Sequence, residues 1–121
     1  MVTSKDSGNE GEVAAANYLL KQGFTIIGRN FRSKFGEIDI IAKDGNTFVF
    51  VEVKKRISSK FGTPEEAITK RKLNRIIKTI DYYLYRHGLN GGANKIRIDV
   101  IAISGSERNT SLNHIKNVGL S

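Results

Sequence analysis

The chain contains no cysteine and only two histidines among its 121 residues. Disulfide staples and thiolate metal sites are therefore excluded, and a cytoplasmic setting agrees with the missing thiols. His87 and His114 stand far apart in sequence, so a histidine-based zinc centre is not expected. His87 precedes Gly88 at a predicted helix end, where an imidazole suits the C-terminal dipole. No apolar run approaches the roughly 18 residues of a membrane span. Met1 to Asp6 lacks the apolar stretch of a signal peptide, and no membrane partner is expected. Repeats and low-complexity stretches are missing too. The content, 39% hydrophobic and 26% charged, fits one globular domain over residues 1–121, with residues 1–7 and the Ser104–Asn109 loop expected to be loose.

Acids are also scarce, 12 against 20 lysines and arginines, for a net charge of +8. Most of that excess is local. Lys54, Lys55, Arg56, Lys60, Lys70, Arg71, Lys72, Arg75 and Lys78 face only Glu65 and Glu66, which puts +7 into 25 residues. Such clustering suggests a polyanion, with nucleic acid favoured over an acidic membrane or a merely solubilising surface.

The few acids are placed tellingly. Gly36-Glu37-Ile38-Asp39-Ile40-Ile41-Ala42 and Thr47-Phe48-Val49-Phe50-Val51-Glu52-Val53-Lys54 flank Asp44-Gly45, a strong hairpin signal. A two-residue Asp44-Gly45 loop would set Lys43 opposite Asn46 and Asp39 opposite Phe50. Side chains alternate, so Glu52 and Lys54 fall on the face of Asp39. The two carboxylates become diagonal neighbours, about 7–8 Å apart at the backbone, close enough to share a cation. A one-residue slip would separate them.

The remaining hairpin residues are apolar on both faces, with Ile38, Ile40, Ala42, Val49, Val51 and Val53 on one side and Ile41, Phe48 and Phe50 on the other. A strand pair buried on both sides belongs inside an α/β layered domain. Charges there are costly unless paired, metal-bound or at an open edge. Two readings stay open. Lys54 forms a salt bridge to one carboxylate while the other is solvated, or Asp39, Glu52 and the Val53 carbonyl hold a hard cation with Lys54 beside the reacting atom.

Elsewhere, Ser7-Gly8-Asn9-Glu10 has the form of a capping box, predicting a helix to Gln22 with Val13, Ala16, Asn17 and Leu20 inward and Glu12 beside them. Phe24 to Arg32 reads as a strand. Thr63-Pro64-Glu65-Glu66 opens a second helix, which restarts at Thr69 and runs to His87. Leu73, Ile76, Ile77, Ile80, Tyr83 and Leu84 form its apolar face; Arg71, Arg75, Lys78 and Arg86 lie on another stripe. Tyr82 and Tyr85 are expected to be partly exposed, with packing the expected role and base stacking the alternative. After an Asn90-Gly91-Gly92 turn, Lys95 to Ile103 forms a two-sided strand in which Asp99 is expected to pair with an arginine or lysine, a role in the site being the alternative. Leu112 to Val118 adds a short edge strand.

Asp39 with Glu52-Val53-Lys54 resembles the PD-(D/E)xK nuclease superfamily, the restriction-endonuclease-like fold. Phe35-Gly36-Glu37-Ile38-Asp39 and Phe50-Val51-Glu52-Val53-Lys54 look closer still to the YraN-like bacterial endonuclease family, similar in motif to archaeal Holliday-junction resolvases. Gly11-Glu12, Ala14-Ala15, Arg29-Asn30-Phe31-Arg32, Phe61-Gly62-Thr63-Pro64-Glu65-Glu66-Ala67 and Ile98-Asp99-Val100 extend the resemblance over most of the chain. The resemblance implies a three-layer sandwich, a mixed sheet flanked by helices in the order α-β-β-β-α-β with a short final strand. It implies a Mg²⁺- or Mn²⁺-dependent endonuclease acting on DNA, branched or single-stranded, in repair or recombination. Asp39 and Glu52 would hold the metal and Lys54 would serve the reacting phosphate. Glu12 is either a further acid near the metal or favourable charge in the first helical turn. Lys55, Arg56, Arg71, Lys72, Arg75 and Lys78 would meet the phosphate backbone. Symmetric cutting of two strands would call for a homodimer. The rivals are a non-catalytic nucleic-acid-binding module of the same fold and a basic protein-interaction domain.

Overall fold

A computed structural model describes residues 4–56, 68–89, 94–104 and 111–119, with side chains from Glu10 onward and excepting that of Arg56. The helix start expected at Thr63 and the Asn90-Gly91-Gly92 turn lie outside these residues. The order is α1 (Ser4–Lys21), β1 (Thr25–Ser33), β2 (Gly36–Asp44), β3 (Thr47–Arg56), α2 (Lys70–Arg86), β4 (Lys95–Ser104) and β5 (Ser111–Ile115). The strands form one sheet in sequence order, antiparallel except for the parallel β3–β4 pair. A parallel neighbour demands a crossover, and α2 supplies it. Among the described residues no helix is long and apolar enough to cross a membrane.

Each sheet face has its own helix. Ile40, Ala42, Val49, Val51, Ile101 and Ile103 pack with Ala15, Ala16 and Leu19 of α1. Phe48, Phe50, Ile41 and Ile98 pack with Ile76, Ile80, Tyr83 and Leu84 of α2. This is the expected layered sandwich. The inner stripe expected for α1 is rotated, however, because Val13 and Leu20 are exposed and Ala15 and Leu19 are buried. Small residues let the helix settle closely on the sheet, and an apolar count undervalues alanine. The helix also starts at Ser4, ahead of the Ser7 expected to cap it. In α2 the restart at Thr69 is a true cap, its hydroxyl accepting from Lys72 N–H at 3.1 Å.

Asp99 is fully buried beneath β5 and satisfied on all sides. Arg97 donates Nε and Nη2 to its two oxygens at 2.9 and 3.0 Å. His114 Nε2 lies 2.7 Å away and the Asn117 N–H donates at 3.0 Å. Tyr18 of α1 contacts His114 Nδ1, and Arg97 also reaches Asp44 by the β2–β3 turn. The expected arginine partner is thus present, in a network that ties β4, β5, α1 and the hairpin together.

Gly119 follows the last strand with φ of +72°, and an added Cβ would stand 2.5 Å from Leu73 Cδ2. Gly45, with φ of +61°, has open space instead. Gly45→Ala should cost about 1 kcal/mol of backbone strain. Gly119→Ala should cost about 2–3 kcal/mol, since Leu73 must also move. Urea denaturation of the two variants checks the difference; equal costs would place Leu73 elsewhere.

Candidate functional site

The site forms where β2 and β3 part. Their pairing runs from Asp44↔Thr47 to Ile40↔Val51. The loop is therefore Gly45-Asn46, and every pair is two residues off the register expected from an Asp44-Gly45 loop. Asp44 keeps its ladder position and Gly45 takes the left-handed conformation. An even shift preserves which face each side chain occupies. It brings Asp39 level with Glu52, closer than the diagonal placement expected. In place of the next ladder bond, Asp39 Oδ2 accepts from the Val53 N–H at 2.8 Å. The Val53 carbonyl points to the same side, as both groups of one residue do in an extended strand. β3 keeps β4 beside it as far as Arg56↔Ser104, so Glu52, Val53 and Lys54 have one side engaged and the other opening toward Asp39.

A second irregularity re-aims Asp39. Ile38 packs on the α2 side and Ile40 on the α1 side, so alternation breaks between them. The placement of Ile38 beside Ile40, expected from strict alternation, does not hold. Across the sheet, Arg29 pairs with Ile40 and Phe31 with Ile38, which leaves Asn30 on the row of Asp39. Asn30 has φ of +55°, a conformation asparagine tolerates better than most residues. Both strands are irregular on one row.

Carboxylates gather at that row. Oxygens of Glu12, Glu37 and Asp39 lie within 4.8 Å of one another. With its amide nitrogen toward the acids, Asn30 donates to Glu12 Oε1 at 2.6 Å and to Glu37 Oε1 at 3.1 Å. Arg29 Nη2 is 4.0 Å from Glu12, and Arg32 Nε is 3.6 Å from Glu37. Glu52, buried beside the cluster, is held by lysines. Lys72 of α2 reaches its Oε1 at 2.6 Å, and Lys54 lies at 3.5 Å.

The electrostatics follow from this division. Burial pushes the Asp39 carboxyl up to about 7, aided by the charges of Glu52, Glu12 and Glu37 and opposed by the Val53 N–H. Burial also raises Glu12, against the pull of Arg29. Lys54 is lowered, first by burial and then by the neighbouring Lys72. Burial would lower Lys72 as well, but its hydrogen bond to Glu52 leads a set of contacts that lifts it above the ordinary range. The acids at Asp39 are crowded, and the nearby lysines contact Glu52 directly while Lys72 also feels the charge of Asp39.

The donor set fits a hard divalent cation. Mg²⁺ bonds oxygen at about 2.0–2.1 Å, so its ligands stand roughly 3–4 Å apart. Carboxylates at most 4.8 Å apart need only a small contraction to seat it, and a cation would relieve the repulsion that raises Asp39.

Of the residues expected at the site, Asp39, Glu52, Lys54 and Glu12 are brought together. The tight acid triad takes Glu37 where Glu52 was expected. Glu37 was legible in principle, two residues from Asp39 on one strand; nothing in the sequence marked the backbone of Asn30. Lys72, expected on the phosphate backbone, is half-buried against Glu52. Lys55, Arg71, Arg75 and Lys78 are exposed. The side chain of Arg56 lies outside the description.

Relatives match most of the chain in sequence. A protein from Persephonella marina is 46% identical over 110 residues, covering 91% of this chain and 90% of its own. One from Caldicellulosiruptor saccharolyticus is 44% identical over 118 residues, 96% and 98% of the two chains. One from Clostridium botulinum strain Loch Maree is 49% identical over 102 residues, 83% and 80%. Each bears the name UPF0102 protein. The model of the uncharacterised protein family UPF0102 matches residues 11–103, from the turn of α1 that carries Glu12 to the end of β4, and the chain belongs to that family.

Proposed function

We propose that the protein is a divalent-metal-dependent nuclease of the PD-(D/E)xK superfamily that hydrolyses DNA phosphodiester bonds. One observation carries the reading: an acid triad and a Lys54–Glu52–Lys72 cluster meet at a single opening in the sheet. Glu12, Glu37 and Asp39 would hold Mg²⁺ or Mn²⁺, with Glu52 and the Val53 carbonyl in reserve on the opposite strand. Bound there, the cation supplies the Lewis acid that phosphodiester hydrolysis requires. Lys54 and Lys72 neutralise charge developing on the phosphate, where partial burial limits screening by water. Arg71, Arg75 and Lys78 draw the backbone in. Asn30 holds Glu12 and Glu37 in place while no cation does. A cytoplasmic location accords with a DNA substrate.

The 2.6 Å pair between Lys72 and Glu52 is also what a non-catalytic nucleic-acid-binding module would contain. Incubation of single-stranded, duplex, flap and four-way DNA with Mg²⁺ or Mn²⁺ separates the two. The wild-type protein should cut at least one substrate. Lys54→Ala should cut it at least 100-fold more slowly, a loss of roughly 3 kcal/mol in transition-state stabilisation, while still binding Mn²⁺. Salt-sensitive binding with no cleavage of any substrate would leave the binding module standing.

A further inference from the structure

The turn between β1 and β2 presses on α2. The hydroxyl of Ser33 accepts from the Phe35 N–H at 3.0 Å, and a Cβ on Gly36 would meet Thr79 Oγ1 at 3.4 Å and Arg75 Cβ at 3.6 Å. This close seating places Phe35 against Tyr82, ring centroids 6.3 Å apart, with Phe31 behind Tyr82 at 6.2 Å. Cations cover these rings. Lys34 Nζ is 5.3 Å from the centroid of Phe35, and the Arg86 guanidinium is 5.8 Å from that of Tyr82 while donating to its hydroxyl at 3.3 Å. At 3.6 residues per turn, Arg71, Arg75, Lys78, Tyr82, Tyr85 and Arg86 fall within a sector of about 100° on α2. The apolar residues Ile76, Ile80, Tyr83 and Leu84 face the sheet instead. Tyr85 is 69% exposed. The stripe begins beside Lys72, which reaches into the site.

From this arrangement we infer that the stripe is a binding track for single-stranded nucleic acid. Bases stack on Phe35 and Tyr82, while Arg71, Arg75 and Lys78 follow the phosphates. The inference rests on the nuclease reading for its substrate, a strand that is unpaired next to the scissile bond. Charge alone would suit any polyanion, but aromatic rings interleaved with cations suit unpaired bases, whose faces a duplex hides. Phe35 lies four residues from Asp39, about 13 Å along an extended strand. That is a short reach for an unpaired strand leaving the cleavage point. A base entering over either ring displaces Lys34 or Arg86, and the released cation meets the neighbouring phosphate.

The test uses the full chain in EDTA, where chemistry plays no part, with fluorescein-labelled oligo-dT and a duplex of equal length. Tyr82→Ala and Phe35→Ala should each weaken oligo-dT binding about 5- to 100-fold, with duplex affinity changed less than twofold and the salt slope unaltered. Tyr82→Phe, which keeps the ring, should bind as the wild type does. Irradiated 5-iodouracil oligonucleotide should crosslink to Phe35 or Tyr82 of the unaltered protein, which needs no variant to fold. Equal losses on single strand and duplex, or crosslinks confined to other residues, would overturn the inference. So would anionic lipid vesicles that bind with the same dependence on Tyr82. If the protein cuts DNA but Tyr82→Ala binds oligo-dT normally, the track fails and the nuclease stands; stacking without cleavage of any DNA gives the reverse.

Discussion

At pH 8 in EDTA, Asp39→Asn should melt roughly 5–10 °C above the wild-type protein, and near pH 4 the two should melt together. In the folded state Asp39 keeps its proton up to about pH 7; in the unfolded chain it releases it near pH 3.9. Between those values the folded state binds more protons, so its stability falls as pH rises. The penalty is complete above pH 7 and absent below about pH 4. A shift of this size is worth at most about 4 kcal/mol; solvent at the opening of the site screens the acids, and about 2 kcal/mol is expected. Asparagine can still accept the Val53 N–H, so the wedge between β2 and β3 survives. Adding millimolar Mn²⁺ should reverse the order, because ligand binding stabilises only the protein that holds it. If Asp39→Asn is less stable at pH 8, the attraction between Asp39 and Lys72 outweighs burial and the neighbouring acids.

The largest loss of stability should come two strands away, in β4. Asp99→Asn should cost about 3–5 kcal/mol, the usual toll of leaving one member of a buried ion pair alone. Arg97 would lose its bidentate charged partner and His114 its carboxylate, at a position where Asp99 itself is fully buried. Burial works to raise Asp99, but hydrogen bonds from His114, Arg97 and the Asn117 N–H outweigh it and hold the acid below its ordinary range. Such a group adds stability that is present above the unfolded value near pH 3.9 and lost as pH falls through the folded one. Urea denaturation should therefore separate the two proteins fully at pH 7, and the gap should close only as pH falls below the unfolded value of about 3.9 and on through the lower folded one. A cost under 1 kcal/mol at pH 7 would show that the network is not what joins β5 to the sheet.

How much of this could be read beforehand depended on the kind of signal. Strand parity was legible from Ile40 through Lys54, because a two-residue shift leaves it intact; at Asp39 it fails, since alternation breaks between Ile38 and Ile40. The register itself was not, since Asp-Gly marks a turn without saying which residue still pairs. The α2 face was plain, with large apolar residues at helical spacing. The α1 face was misread in part: Ala16 was expected inward, but Gly11 and Ala15, which also gain their place by being small, were not. Local breaks were invisible. Ile38 changes face and Asn30 turns left-handed through the packing of three strands, and that packing brings Glu37 and Glu12 together at Asp39. Lys72 was counted as surface charge because periodicity could not show that Glu52 lies within its reach.

Calorimetric titration with Mn²⁺ at pH 6.5, in two buffers of different ionisation heat, tests the cation site most directly. One Mn²⁺ should bind at millimolar concentration or below and expel roughly half a proton or more, because Asp39 must ionise to accept it; above pH 8 the release should vanish. Asp39→Asn and Glu12→Gln should each bind at least 10-fold more weakly, and Asp39→Asn should lose most of the proton release. A wild-type protein that takes up no Mn²⁺, or binds it with the same affinity and proton release after Asp39→Asn, has no cation site at this cluster.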